Sequence, residues 1–161
     1  EWLDADELRD QVLQDARALS AVMGEGAQAI ESFGETGVRV AGLRSELVSA
    51  MGNLVSNAVR YTPTDGQISA GWLRLPDGGV SFVVKDSGPG ISPEHLPRLS
   101  ERFYRVDRSR SRETGGTGLG LAIVKHVTQR HGGELQVEST VGGGSQFTIQ
   151  LPARRVKQPL P

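Results

Sequence analysis

The sequence contains no cysteine, few aromatic residues and almost no net charge. The lack of cysteine excludes disulfides, thiolate zinc sites and thiol nucleophiles, and it fits a cytosolic setting. Because the 161 residues carry a formal net charge of −1, no whole-molecule field attracts nucleic acid, and we expect no nucleic-acid partner. Aromatic residues make up only 5% of the chain, so the core must consist mainly of Leu, Val, Ile and Ala.

The chain also lacks a long apolar segment. No apolar run approaches the roughly 20 residues that a membrane-spanning helix needs, and no signal peptide is recognisable. The chain starts at Glu1 without an initiator Met, so we expect it to be a piece of a larger protein. Its length favours one domain, which we place at 1–152, followed by a disordered C-terminal tail at 153–161.

Hydrophobic periodicity and turn residues predict three helices and about six strands. The predicted helices span 4–23, 43–61 and 119–130, with a short helical stretch at 93–99. The predicted strands span 28–32, 37–41, 68–75, 80–85, 134–139 and 145–151, and they enter as hairpins. Asp4 or Asp6 can cap the first helix. This order predicts an α+β fold, a two-layer α/β sandwich with three helices on one face of a mixed β-sheet.

The second predicted helix combines an apolar face with an unusual polar stripe. The stripe consists of Glu46, Asn53, Asn57 and Arg60, with Tyr61 at its edge. Such a stripe can simply be a solvated face. However, Asn is a poor helix former, so two of them in one helix weaken it. Because an amide offers an oxygen to a hard cation and an N–H to an oxyanion, the stripe also fits a metal–triphosphate group.

The segment "DSGPG" follows the predicted strand that ends at 85. It can be an ordinary surface turn. Alternatively, Asp86 can accept a hydrogen bond from an exocyclic amine, while Gly88 and Gly90 let a flat base approach the backbone.

A second glycine-rich segment, "GGTGLGLA", opens the third predicted helix. It lacks the spacing of a P-loop, and a polar loop rather than a strand precedes it, which excludes a Rossmann turn. The start of a helix presents free N–H groups that favour phosphate, and Gly116, Gly118 and Gly120 leave room for a ligand to reach them. A flexible linker without a ligand is the alternative interpretation.

The polar segment "SERFYRVDRSRSRETGG" lies between the two glycine turns. Its mixture of arginine and aromatic residues can bind single-stranded nucleic acid. The balanced net charge instead favours a lid, in which aromatic side chains contact a base and an arginine reaches phosphates.

Four segments in this order resemble the N, G1, F and G2 boxes of sensor histidine kinases: "NLVSNAVRYTP", "DSGPGI", "ERFYRVD" and "GGTGLGL". The resemblance extends from about Trp2 to Pro152. It implies the Bergerat ATP-binding fold that is shared by gyrase, the Hsp90 chaperones and mismatch-repair ATPases. The wording around the F and G2 boxes looks especially like the phosphate-regulon sensor kinases, although many related kinases share the phrase.

The resemblance implies a set of site residues. It implies catalytic roles for Asn53, Asn57 and Arg105, with Asn57 as the ligand of Mg²⁺. The implied ATP-binding residues are Asn53, Asn57, Arg60, Tyr61, Asp86, Gly88, Gly90, Ile91, Tyr104, Arg105, Gly116, Thr117, Gly118, Leu119, Gly120 and Leu121. Arg60 resembles a residue that contacts phosphates and Arg105 one that contacts the γ-phosphate, whereas Asp86 is implied to bind the adenine amino group. Where gyrase-like ATPases have a Glu as general base, this chain has Asn53, which cannot take a proton, so efficient hydrolysis is not expected.

The resemblance further implies transfer of the γ-phosphoryl group to a histidine on a separate dimerisation domain, and then to an aspartate on a response regulator. The phosphoacceptor motif "HE[LF]RTPL" is absent here, and we interpret His95, His126 and His131 as structural. We therefore expect a fragment that binds Mg-ATP without labelling itself. We also expect it to be monomeric, and to be a cytoplasmic domain of an inner-membrane-anchored bacterial sensor kinase.

Three rival functions stay open. A Bergerat-type ATPase or clamp predicts steady ATP turnover, which Asn53 disfavours. A serine kinase of the anti-sigma type shares the fold, but "ERFYRVD" disfavours it. A non-catalytic partner-binding domain is disfavoured by the intact Asn57, Asp86 and glycine loop.

Overall fold

The structure, a computed structural model, describes residues 1–23, 28–91, 93–98 and 120–159. Within these ranges it contains three α-helices: α1 (Ala5–Met23), α2 (Arg44–Tyr61) and α3 (Gly120–Arg130). The described strands are β1 (Trp2–Asp4), β2 (Ala29–Phe33), β3 (Arg39–Ala41), β4 (Gln67–Arg74), β5 (Val80–Asp86), β6 (Glu134–Thr140), β7 (Gly144–Leu151) and β8 (Val156–Lys157). Short 3-10 turns occupy Leu96–Arg98 and Ala153–Arg155.

Five strands form the main sheet in the order β2-β4-β5-β7-β6. Strand β2 runs parallel to β4, and the other neighbours are antiparallel, so the sheet is mixed. The helices pack on one face of this sheet, through alternate strand residues such as Ile68, Ala70 and Trp72. The predicted α+β two-layer sandwich is therefore confirmed.

The core lies between α2 and the central strands. The apolar face predicted for α2 is buried, and it consists of Leu47, Met51, Leu54, Val55, Ala58 and Val59. The Trp72 and Phe82 rings on β4 and β5 meet at a centroid distance of 5.2 Å. Trp72 Nε1 donates a hydrogen bond to the carbonyl of Ala5 at 2.8 Å, which satisfies the buried indole and ties the start of α1 to the sheet.

The start of α1 has one of the two predicted caps. Asp4 Oδ1 accepts a hydrogen bond from the N–H of Glu7 at 3.1 Å, which is the contact of an N-cap residue. Asp6 instead binds the chain near Thr36, where its carboxylate accepts from the N–H groups of Thr36 and Gly37.

The predicted pairing of 28–32 with 37–41 across a turn is wrong. Strand β2 joins the main sheet, whereas β3 joins β1 and β8 in a separate three-stranded antiparallel sheet. The reason is the segment between them, whose Gly34 and Gly37 both have positive φ. Arg9 binds the carbonyls of Phe33 and Gly34, and Asp6 binds the N–H groups that follow, so residues of α1 fix the path of the chain between the two strands.

The predicted disordered tail is also wrong for its first half. Val156 and Lys157 pair with Val40 and Arg39, as β8 of the small sheet. Lys157 Nζ lies 5.1 Å from the centre of the Trp2 ring, a cation–π contact. The fold therefore continues beyond the boundary at 152 that the sequence suggested.

The β4–β5 and β6–β7 hairpins agree with the sequence prediction. Strand β1 was not predicted. Within the described part of the predicted helical stretch at 93–99, the structure has a 3-10 turn at Leu96–Arg98. Among the described residues, we find no helix long and apolar enough to cross a bilayer.

Candidate functional site

The polar stripe of α2 faces the first turn of α3. Asn53 and Asn57 are half-buried and lie one turn apart. A Cβ atom at Gly120 would lie 3.0 Å from Oδ1 of Asn53 and 3.7 Å from Nδ2 of Asn57. The two amides and the start of α3 therefore share one small space, which we call the phosphate end of the site.

The hydrogen bonds of Asn53 determine which of its atoms faces this space. Its Nδ2 donates to the carbonyl of Ser49 at 2.7 Å, so that group is occupied by the helix itself. Its Oδ1 is the atom nearest to the position that a Cβ of Gly120 would take. Asn53 thus offers an acceptor next to the N–H groups of the first turn of α3, where a metal-bound or hydrated anion can be held from both sides.

The last residue of β5, Asp86, lies beside the C-terminal end of α2, away from the phosphate end. It is opposite Ser145 on β7 and Ile68 on β4, so the central strands of the sheet fix its backbone. Its Oδ1 accepts the N–H of Gly88 at 2.9 Å. Asp86 and Gly88, together with Thr62 just beyond the end of α2, form what we call the base pocket.

Burial raises the pKa of Asp86 above its ordinary value, although hydrogen bonds from the backbone of Gly88 and Ser145 act in the opposite direction. A desolvated carboxylate in a cleft, next to a glycine turn, is typical of a ligand-binding group. Its charge increases the strength of any hydrogen bond that it accepts from a ligand.

The turn that follows Asp86 is held against the β6–β7 hairpin. Gly90 has φ +77°, and the backbone of Thr140 occupies the space of a side chain there. Ile91 donates its N–H to Oγ of Ser139 at 2.7 Å, and Gly142 donates to the carbonyl of Pro89 at 2.8 Å. Gly90 and Ile91 therefore contribute to the site by fixing this turn.

Two buried polar atoms at the end of α2 lack a hydrogen-bond partner within the described part of the chain. They are Nε of Arg60 and Oγ1 of Thr62. Arg60 was predicted as a site residue, but Thr62 was not, because a threonine at a helix end is common and gives no signal in the sequence. Gly88 lies beside this helix end, since its Cβ would be 3.1 Å from the carbonyl of Tyr61.

Helix α2 joins the two ends of the site. From Asn53 to Tyr61 the chain advances eight residues, which is about 12 Å along a helix axis. That span accommodates a sugar and a phosphate chain with a base at one end. Asn53, Asn57, Arg60 and Tyr61 therefore follow one another along α2, with Gly120 beside the first two and Asp86 and Gly88 beyond the last.

Some predicted residues lie elsewhere. Tyr104, Arg105, Gly116, Thr117, Gly118 and Leu119 are outside the described residues. Leu121 is described, and its side chain lines a groove of about 580 Å³ between α3 and β6, together with Leu96 and Val137.

The histidines occupy positions that differ in exposure. His126 is exposed on α3, and His95 lies 3.5 Å from Glu94. His131 is buried, with Nδ1 2.8 Å from the carbonyl of Val127 and Nε2 accepting the N–H of Leu43 at 3.4 Å. His131 therefore joins the end of α3 to the start of α2, which supports its interpretation as a structural residue.

A family model described as "Histidine kinase-, DNA gyrase B-, and HSP90-like ATPase" matches residues 42–155, which include the whole of the site described above. The chain belongs to this family. It is an ATP-binding catalytic domain of the histidine-kinase type.

Comparison with curated relatives shows which histidine kinases the chain is similar to. The chain is 47% identical over 153 residues to the phosphate regulon sensor protein PhoR of Pseudomonas aeruginosa, covering 95% of this chain and 34% of that protein. It is 43% identical over 144 residues to the sensor-like histidine kinase SenX3 of Mycolicibacterium smegmatis, covering 89% of this chain and 37% of that protein. The chain therefore spans about a third of the length of these curated relatives.

A solved structure agrees with both the fold and the type. The mycobacterial sensor histidine kinase MprB superposes with a TM-score of 0.78 at 29% identity, over 99% of this chain and 100% of that one. The predicted resemblance to sensor histidine kinases is confirmed.

Proposed function

We propose that this domain binds Mg-ATP along α2 and passes the γ-phosphoryl group to a histidine on a separate dimerisation domain of the same kinase. The observation that carries the proposal is that the site along α2 has two ends of different chemistry. At one end the Asn53 and Asn57 amides meet the start of α3, and at the other end lies the desolvated carboxylate of Asp86. The first end suits an anion and the second suits an amine. ATP carries both groups, with its triphosphate at one end and its adenine amine at the other.

Different residues bind the adenine and the phosphates. Asp86 accepts a hydrogen bond from the adenine amino group, and Gly88 leaves room for the ring. Tyr61 packs on the adenine side, and Arg60 neutralises phosphate charge. The N–H groups at the start of α3 bind the triphosphate because a helix start carries partial positive charge. Tyr104, Arg105 and the glycines at 116 and 118 belong to the same proposal.

The proposed metal is Mg²⁺, with Asn57 as its protein ligand. Within the described ranges, no group of three or more His, Asp or Glu side chains is placed to hold a metal ion. An amide oxygen, such as that of Asn57, is nevertheless a suitable ligand for Mg²⁺, which often takes one or two protein oxygens and completes its shell with phosphates and water. When bound, the metal supplies neutralisation of the phosphate charge.

Asn53 preserves the phosphoryl group for its acceptor. A general base that activates water must accept a proton, and an amide cannot do so at neutral pH. Because phosphoryl transfer depends mainly on positioning and charge neutralisation, the domain can hold ATP in a reactive geometry without hydrolysing it.

The finer assignments extend the same proposal. PhoR is named a phosphate regulon sensor, and by similarity we assign this domain to a kinase of the phosphate-starvation type. The acceptor histidine then lies on the dimerisation domain, a response regulator receives the phosphoryl group, and the domain works at the cytoplasmic side of a bacterial inner membrane.

Radioactive ATP labelled at the γ-phosphate tests this function. The domain alone is expected to bind ATP without becoming labelled, and addition of the histidine-bearing dimerisation domain of the same kinase is expected to give an acid-labile label on that domain. The Asp86→Asn variant is the matched negative control. Steady phosphate release without an acceptor would instead indicate an ATPase, and labelling of the domain itself on a histidine would contradict the proposal.

A further inference from the structure

The hydroxyl group of Thr62 is buried, and it has no hydrogen-bond partner among the residues that the structure describes. Thr62 is 4% exposed, and its Oγ1 makes no hydrogen bond within the described part of the chain. A buried hydroxyl without a partner costs free energy, because its hydrogen bonds to water are lost on folding and none replace them. An unpaired group of this kind requires an explanation.

The fold fixes this hydroxyl in place. The N–H of Thr62 donates to the carbonyl of Ala58 at 3.0 Å, and its carbonyl accepts from Nε2 of Gln28 at 2.6 Å. The methyl group packs against Gly66, at a position that no side chain on Gly66 could share. Since the backbone and the methyl group are both held, the hydroxyl cannot turn to another partner without breaking these contacts.

The hydroxyl lies beside Asp86. A Cβ at Gly88 would be 3.6 Å from Oγ1 of Thr62 and 2.9 Å from Oδ1 of Asp86, so both groups border the same small space. Gly88 keeps that space free of a side chain. The carboxylate is an acceptor, whereas the hydroxyl can donate.

We propose that the Thr62 hydroxyl binds the base of the nucleotide, donating a hydrogen bond to a ring nitrogen that flanks the adenine amino group, either directly or through one water molecule. This inference rests on the proposed binding of ATP and adds a second base-recognition residue to Asp86. Adenine presents an amine donor flanked on the two sides by acceptor nitrogens, N1 and N7. A carboxylate next to a hydroxyl donor is complementary to that pattern, so ligand binding satisfies the group that folding leaves unpaired.

Two substitutions separate this role from a structural one. Thr62→Val keeps the shape and removes the hydroxyl, so we expect the midpoint of urea unfolding to rise while binding of Mg-ADP weakens about 5- to 30-fold. Thr62→Ser keeps the hydroxyl and removes the methyl group, so we expect lower stability with affinity close to that of the parent. A structural hydroxyl gives the opposite result for Thr62→Val, with lower stability and unchanged affinity.

Nucleotide analogues identify the atom. Calorimetric titration of parent and Thr62→Val with ADP, 1-deaza-ADP and 7-deaza-ADP is expected to show the loss of affinity for ADP and its disappearance for one of the two analogues. Disappearance with 1-deaza-ADP places the hydroxyl at N1, and with 7-deaza-ADP at N7. Equal affinity of the two proteins for ADP, or the same loss for all three nucleotides, would overturn the inference and leave the ATP site intact. Failure of the parent to bind any of them would overturn the proposed function as well.

Discussion

Two buried polar clusters in this domain differ in how completely their groups are paired. The first, which we call the closed cluster, consists of Asp6 and Arg9 with the segment 33–37. There the Asp6 carboxylate accepts from Thr36 and Gly37, and the guanidinium of Arg9 binds two carbonyls and the carboxylates of Asp10 and Glu35. The second is the base pocket, where burial raises the pKa of Asp86 and the Thr62 hydroxyl finds no hydrogen-bond partner in the described part of the chain.

The difference indicates which buried polar groups hold the fold together and which bind something else. A fully paired cluster offers nothing to a ligand, and its function is to direct the chain between β2 and β3. An incompletely paired cluster costs stability, and such a cost persists where a ligand repays it. The distinction depends on hydrogen-bond pairing, since both clusters combine a carboxylate with a glycine turn.

Breaking the closed cluster should have the largest effect on stability. Asp6→Ala leaves the N–H groups of Thr36 and Gly37 without their acceptor and removes one of the carboxylates beside Arg9, so we expect a loss of about 2–4 kcal/mol in the free energy of unfolding. Urea denaturation measures it. Asp10→Ala is the control, because Asp10 also binds Arg9 but is largely exposed, and its loss should stay below about 1 kcal/mol. Equal losses in the two variants would mean that burial and pairing do not distinguish the carboxylates.

The C-terminal segment is also held by contacts within the fold. Removal of 153–161 breaks the β8 pairing and the contact between Lys157 and Trp2, and we expect the free energy of unfolding to fall by about 1–2 kcal/mol. Nucleotide affinity, measured by titration, should not change. An unchanged unfolding curve would instead support the disordered tail that the sequence suggested.

A side chain added at Gly120 should reduce the space at the phosphate end and leave the closed cluster unchanged. Gly120→Ala brings a Cβ to 3.0 Å from Oδ1 of Asn53, and we expect binding of a non-hydrolysable ATP analogue to weaken about 3- to 10-fold, a change of roughly 1 kcal/mol. Gly52→Ala on α2 is the matched control, because a Cβ there meets no atom within 4 Å in the described ranges, apart from its own helix. That variant should gain about 0.5–1 kcal/mol of stability from helix propensity and keep its affinity. Weakened binding in both variants would show that the effect is not local to Asn53.

The desolvation of Asp86 in the base pocket should make the free energy of unfolding depend on pH. Because the pKa of Asp86 is raised in the folded protein, the folded state binds its proton more tightly than the unfolded chain does. The contribution of Asp86 to stability therefore falls as the pH rises from the ordinary pKa of aspartate through the raised one. We expect Asp86→Asn to be at least as stable as the parent at neutral pH, with the advantage shrinking as the pH is lowered through that window. Urea denaturation across pH tests this, and a clearly less stable variant at neutral pH would contradict it.

Local patterns predicted much of this structure from the sequence. Helical periodicity located α2 and its buried face, and turn glycines located the two hairpins, because these features depend on neighbours in the chain. The partners of β2 and β3 could not be predicted in this way, since α1 residues that lie 24 to 31 positions away in the sequence set the path between them.

Some site residues could likewise be predicted from the sequence, and others could not. Asn53, Asn57 and Asp86 stand out in the sequence through residue type and spacing, and the structure places the two asparagines next to Gly120. Thr62 could not be predicted, because whether a hydroxyl is paired depends on the packing of Gln28, Gly66 and Gly88 around it. The short strand β8 was missed since two residues carry no periodicity.

The most direct test of the central claim, that α2 holds a nucleotide with its base at Asp86, is calorimetric titration of the domain with Mg²⁺ and a non-hydrolysable ATP analogue, beside the Asp86→Asn variant. We predict saturable binding by the parent and a loss of about 10- to 100-fold in the variant, since a charge-assisted hydrogen bond to the adenine amine is removed. Equal affinity in the two proteins would place the base elsewhere. Absence of binding by the parent would contradict the account of the site and favour a domain that only contacts a partner.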